Sequence, residues 1–278
     1  IPDTSQAIDT ARRANDALAA AIARHPSRFG GFAAVPMQDP DAAARELRRA
    51  VTELGFVGAL VNGFSDVPGP KGPALPAATD VRYYDAAEYE PFWSEAERLG
   101  VPFYLHPRDP LLSREPILDG HPWLQGSAWA FGVETATHAL RLMASGLFDR
   151  HPRLTMILGH LGEGLPFNIW RIDHRLAKSP RGIPAKRPLG DYLREHCYLT
   201  TSGNFRTPAL TDAIAEVGVE RILFSIDYPF EETADAVRWF NGVELSETDR
   251  AAIGRGNAAR LFDLPFGSGQ KAKVKGQR

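Results

Sequence analysis

The sequence predicts an α/β fold built on a parallel sheet, and its polar residues speak for a (β/α)8 barrel. Three observations carry this. Short β-branched and aromatic runs alternate with helical patterns along the chain. The strand-like runs are continuously apolar, as in Gly58-Ala59-Leu60-Val61 and Met156-Ile157-Leu158, which marks parallel strands covered on both faces. Three runs end in His106, His160 and Asp227, and barrel sites lie on the rim formed by the C-terminal ends of the strands. Alternation alone also admits an open doubly wound sheet.

The chain opens on Ile1-Pro2-Asp3, where Asp3 or Thr4 can cap an Ala/Arg-rich helix running to about Arg24. Strands are then expected at 32–35, 56–62, 102–106, 154–160, 198–202 and 222–227. Helices are expected at 41–54, 86–99, 128–145, 165–177, 208–217 and 233–240. Pro107 biases His106 toward an extended backbone. Glycines in the run Gly159-His160-Leu161-Gly162-Glu163-Gly164 permit a tight turn and close approach of a ligand. Tyr228-Pro229 ends the last strand and brings aromatics to the rim. The Pro/Gly/Ala-rich segment 66–79 and the long connection 108–125 read as rim loops. One domain is expected over 1–265, followed by a basic tail, 266–278, without apolar periodicity and expected to be disordered. Six strands do not complete an eight-stranded barrel, so two more are expected upstream of Ile1.

A chain of 278 residues suffices for one barrel, which takes roughly 250 residues, or for two smaller domains. With 44% apolar and 24% charged residues it can bury a sizeable core. The net charge of -2 provides no field for nucleic acid or an anionic membrane, which leaves a small molecule as the expected partner. A single cysteine, Cys197, excludes an intrachain disulfide and a Cys-rich zinc site and fits a reducing, cytoplasmic compartment. No apolar run approaches the roughly 20 residues that span a bilayer.

A divalent metal needs neutral imidazoles or carboxylates converging on one point, and strand ends around a rim can bring distant residues together. Singly, a strand-end histidine is more often a hydrogen-bonded structural residue. Together, His106, His160 and Asp227 point to a site. Glu134 and His138, four apart on a helix with no strand end nearby, read as a surface or interhelix hydrogen bond. His25, His121, His151, His174 and His196 read as structural.

The runs Phe103-Tyr104-Leu105-His106-Pro107, Gly159 to Pro166, Thr200-Thr201-Ser202-Gly203-Asn204-Phe205 and Phe224 to Glu231 closely resemble the amidohydrolase-related decarboxylase family. Its members include aminocarboxymuconate-semialdehyde decarboxylase and the benzoate decarboxylases. His121-Pro122-Trp123-Leu124 and Trp170-Arg171-Ile172-Asp173-His174-Arg175 extend the resemblance, which covers nearly the whole chain to about Phe262. It implies a TIM-like barrel of the amidohydrolase superfamily with one divalent metal ion, Zn or Mn. The implied enzyme is a decarboxylase of aromatic catabolism, most specifically converting 2,6-dihydroxybenzoate to resorcinol and CO2 without oxidation. It also implies a homodimer or homotetramer.

Carried over residue by residue, His106 and Asp227 would be metal ligands, Asp227 also the acid that protonates the ring, and His160 a catalytic histidine paired with Glu163. Arg171 would face the substrate carboxylate, with a structural ion pair as the competing reading. Phe230, Trp123 and Phe205 would wall an aromatic pocket, with core packing as the competing reading. The family's Glu-x-His or His-x-His of the first strand has no match here, in line with the strand count. Two alternatives remain: a lactonase-type metal-dependent hydrolase on the same fold, and a non-catalytic scaffold.

Overall fold

Six parallel strands succeed one another across a single sheet in the order of the chain. The computed structural model describes residues 1, 3–68, 79–111 and 116–264. Its first half runs α1 (Thr4–Ala23), β1 (Phe32–Ala34), α2 (Pro40–Thr52), β2 (Gly58–Asn62), β3 (Ser65–Pro68), β4 (Thr79–Arg82), α3 (Glu90–Leu99) and β5 (Phe103–His106). Then come α4 (Ala130–Ala144), α5 (Leu147–Arg150), β6 (Met156–Leu158), α6 (Leu165–Lys178), α7 (Leu189–His196) and β7 (Cys197–Thr200). The chain closes with α8 (Thr207–Val217), β8 (Ile222–Leu223), α9 (Thr233–Gly242), α10 (Glu247–Ala251), a π-helical turn and α11 (Asn257–Phe262).

The sheet order is β1-β2-β5-β6-β7-β8, parallel throughout. A doubly wound sheet reverses its strand order at a switch point. This one never reverses, which is the winding of a barrel wall. Among the described residues β1 and β8 do not pair with each other, so the wall is open there.

Local chemistry sets the element ends. Asp3 caps α1, its Oδ1 accepting the Gln6 N–H at 2.7 Å. Asp39 does the same for α2 through Ala42 N–H at 2.9 Å, with Pro40 preset for the first turn. Gly100, at φ 67°, ends α3 in the left-handed region that glycine adopts at no steric cost.

Each expected strand overlaps an observed, shorter one, and β7 begins one residue earlier than expected, at Cys197. The segment 66–79 departs from its loop reading: its ends belong to an antiparallel ribbon pairing Ser65 with Arg82 and Asp66 with Val81. The proline and glycine content of the segment hid two short pairing stretches. Residues 69–78, and the tail expected to be disordered, lie outside the described residues.

Side chains from the sheet, including Phe103, Leu105, Met156, Leu158, Cys197 and Leu199, belong to one large core cluster with helix residues such as Trp93, Leu142 and Leu193. The Trp93 ring lies 4.6 Å from that of Phe103. A smaller cluster of Ile157, Tyr198 and Leu223 packs with Phe32, Tyr104, Leu261 and Phe262, so α11 covers part of the sheet.

His138, read from sequence as a surface or interhelix residue, is fully buried on α4. Its Nε2 accepts the Tyr84 N–H at 3.1 Å, fastening α4 to the segment after β4. Burial pushes its pKa down to about 3. Because the folded value lies below the unfolded one, stability is complete above about pH 6.5 and falls as pH drops toward the folded pKa. We expect the wild type to lose about 2 kcal/mol more than His138→Gln between pH 7 and pH 5, as read by denaturant unfolding. Equal losses would mean that the folded histidine takes up a proton.

Candidate active site

His106 is the last residue of β5, in register with Asn62 of β2. Its Nδ1 lies 2.9 Å from the Pro107 carbonyl oxygen, which can only accept, so Nδ1 carries a proton and Nε2 is the nitrogen left for other partners.

After β6 the chain takes positive φ at five successive residues: His160 (51°), Leu161 (57°), Gly162 (84°), Glu163 (55°) and Gly164 (75°). In this left-handed turn, residues three apart meet. Glu163 Oε1 lies 2.5 Å from His160 Nδ1. Asp227 sits beyond β8 at φ 79°, its carbonyl accepting the N–H groups of Phe230 and Glu231 at 2.9 and 3.2 Å. Its Oδ2 lies 3.5 Å from His160 Nε2.

Glu163, His160 and Asp227 thus form a line from a buried carboxylate to a partly open one, with side-chain exposures of 6%, 27% and 31%. Burial would lower the His160 pKa. The hydrogen bond and charge of Glu163, together with the Asp227 carboxylate, outweigh burial and hold it above the usual histidine value. In its protonated form the imidazole donates Nδ1–H to Glu163 and directs Nε2–H toward Asp227.

Gly203 lies against this line. A Cβ there would stand 2.9 Å from His160 Cδ2 and 3.3 Å from Asp227 Oδ2. The close approach requires glycine, as does the backbone at φ 62°.

Two lobes of open space share His160, Asp227, Ser127, Phe131 and Glu231. One, of about 1240 Å³, lies over the strand ends and is lined by Asn62, Phe64, His106, Arg108 and Phe230. The other, of about 1040 Å³, runs between α4 and α6 past Ala136, Leu140, Ile172 and Leu176, with Glu163, Arg171 and Arg175 along it. The structure therefore brings His106, His160, Asp227, Glu163, Arg171 and Phe230 around one connected space, Arg171 in the second lobe. Among the described residues Arg171 has no ion-pair partner.

Trp123 and Phe205 line neither lobe. Trp123 is 66% exposed on a 3-10 turn beside His121, and Phe205 packs toward Trp239 with ring centres 5.7 Å apart. Phe64 and Phe131 take the wall positions instead. Phe64 follows the β2 strand end, a rim position that could have marked it in the sequence; the position of Phe131 on α4 carried no such mark. The other histidines stand apart from the cavity. His151 bridges Glu90 and Glu97, His174 stacks on Trp170, and His196 Nδ1 lies 3.0 Å from the Leu154 carbonyl oxygen.

The donor chemistry fits a divalent ion. His106 Nε2 and the Asp227 carboxylate are the imidazole and oxygen ligands that Zn and Mn accept. Among the described residues no group of three or more His, Cys, Asp or Glu converges as a metal centre, so His106 and Asp227 would offer an ion two donors.

Strand-end imidazoles and carboxylates on a singly wound parallel sheet define a metal-dependent enzyme of the barrel type. The Amidohydrolase family model matches residues 3–264, and the chain belongs to that family. It is 60% identical to the gamma-resorcylate decarboxylase of Rhizobium radiobacter over 266 residues, 95% of this chain and 79% of that protein. The crystal structure of 2,6-dihydroxybenzoate decarboxylase from Rhizobium superposes with a TM-score of 0.89 at 59% identity, over 95% of this chain and 80% of that one. A dihydroxybenzoic acid decarboxylase from Polaromonas sp. JS666, solved with manganese and the inhibitor 2-nitroresorcinol, gives 0.89 at 58% identity, over 95% and 78%.

Proposed function

We propose that this chain is a carboxy-lyase that converts 2,6-dihydroxybenzoate to resorcinol and CO2 without oxidation, with one divalent metal ion, Zn or Mn, held by His106 and Asp227. The observation that carries the reading is the Glu163–His160–Asp227 line opening onto an aromatic-walled cavity, joined to 58–60% identity with decarboxylases of this substrate class.

The chemistry dictates the order of events. Direct loss of CO2 would leave an aryl anion, so a proton must first be added to the carboxylate-bearing carbon. The ring becomes a dienone. The electrons of the breaking C–C bond then return to the ring and its carbonyl, CO2 leaves, and the added proton remains as the new C–H bond. One proton is consumed per CO2 released from the carboxylate.

Asp227 delivers that proton, and His160, whose protonated form Glu163 favours, recharges Asp227 across the 3.5 Å between Nε2 and Oδ2. Glu163 keeps the imidazole in one orientation. Phe64, Phe131 and Phe230 hold the flat ring, and Arg171 faces the carboxylate. When bound, the ion acts as a Lewis acid toward the substrate's anionic oxygens.

Metal-supplied protein incubated with 2,6-dihydroxybenzoate is expected to yield equimolar resorcinol and CO2. Opening of a lactone with no resorcinol would replace this reading with a hydrolase. Chelation is expected to reduce turnover at least about 100-fold and added Mn or Zn to restore it; undiminished turnover in metal-free protein would remove the ion from the reaction.

The remaining expectations are one catalytic domain over 1–265, a cytoplasmic location, and a homodimer or homotetramer. The exposed Phe167 and Trp170 of α6 support assembly, and sedimentation measures it. No helix among the described residues is long and apolar enough to cross a membrane.

A further inference from the structure

The His160 backbone is held in an unfavourable conformation by residues from another strand. For an L-residue the left-handed region costs roughly 1–2 kcal/mol, so an isolated loop would relax out of it. Both peptide groups flanking the His160 Cα are tied to the end of β7. His160 N–H donates to Ser202 Oγ at 3.4 Å, and its carbonyl accepts from Asn204 Nδ2 at 3.3 Å. The next residue is fastened to the same strand, Leu161 N–H donating to the Thr200 carbonyl at 2.7 Å.

Ser202 is itself fixed. Its hydroxyl, that of Thr200 and the phenol of Tyr104 close a three-membered ring, with 2.7 Å between Ser202 and Thr200, 3.2 Å between Thr200 and Tyr104, and 3.4 Å between Tyr104 and Ser202. Each hydroxyl gives one hydrogen and takes one. Ser202 keeps a second lone pair for the His160 N–H. Thr200 and Ser202 are each 3% exposed, so water does not compete for these bonds.

We infer that Ser202 and Asn204 are positioning residues that orient His160 toward Asp227, and that Tyr104 and Thr200 hold Ser202 in place. The inference rests on the proposed catalytic role of His160. The distance from His160 Nε2 to Asp227 Oδ2, 3.5 Å, is already at the edge of hydrogen-bond reach, so a small rotation of the ring breaks the contact.

The test uses the full chain supplied with manganese and 2,6-dihydroxybenzoate. Ser202→Ala and Asn204→Ala are each expected to lower kcat about 10-fold with KM changed by less than about twofold. In a His160→Asn background neither should lower kcat further, because a residue acting through the imidazole has nothing left to orient. A full additional loss in that background, or a change in KM alone, overturns the inference. Asn204 is only partly buried, so Asn204→Ala keeps the test open if the buried Ser202→Ala fails to fold. If His160→Asn retains wild-type kcat, the catalytic reading of His160 falls. The cradle is then judged by amide hydrogen exchange at His160, which Ser202→Ala should accelerate and which an unchanged rate would refute.

Discussion

Asp227→Asn is expected to lower kcat by at least about 1,000-fold while leaving the fold intact. Asparagine matches aspartate in shape and is among the few residues that occupy φ 79° readily, so the turn that receives the Phe230 and Glu231 N–H groups survives. What disappears is chemical. A carboxamide neither delivers a proton to the ring carbon nor offers an anionic oxygen to a metal ion. The His160 pKa also falls, because one of the carboxylates holding it up is gone. Steady-state kinetics together with a thermal melt separate the outcomes. A variant that melts like the wild type and turns over nearly as fast removes Asp227 from the reaction.

Gly203→Ala is expected to lower kcat about 100-fold without touching any ionisable group. The added methyl meets His160 Cδ2 at 2.9 Å and Asp227 Oδ2 at 3.3 Å, so the two side chains that must exchange a proton are pushed off their present line. The substitution also forces an L-residue to φ 62°, at a stability cost of about 1–2 kcal/mol. Gly55→Ala separates the two effects. It imposes the same backbone penalty at φ 73°, but its Cβ meets nothing within 4 Å and it lies outside the cavity. It should lose similar stability and keep its activity. Equal activity losses in both variants would show that general destabilisation, not displacement at the site, is responsible.

The strands were legible as unbroken apolar runs. Of these, β6, β7 and β8 are buried at every residue, whereas β1, β2 and β5 alternate and Leu60 is exposed. The residues ending three of the runs were legible as chemistry. That is why His106, His160 and Asp227 stood out before any geometry was known. Strand order was not legible, since alternation is common to barrels and doubly wound sheets; the pairing of β2 with β5 and onward without reversal decides between them. The ribbon of β3 and β4 was hidden under a proline- and glycine-rich composition. Aromatics were the weakest reading. Trp123 and Phe205 have the composition of a pocket wall, but the direction in which a loop side chain points depends on its tertiary neighbours. Phe205 faces Trp239, while Phe64 and Phe131 reach the cavity. The support from Ser202 was equally invisible, because it joins the ends of two strands 42 residues apart.

The turn from His160 to Gly164 inverts the stereochemical preference of the rest of the chain. Mirror-image amino acids favour positive φ, so D-alanine introduced by chemical ligation at Gly164 would match the local backbone, whereas L-alanine would oppose it. The enantiomer at one atom would therefore decide whether an identical methyl group rigidifies the loop carrying His160 and Glu163 or loosens it.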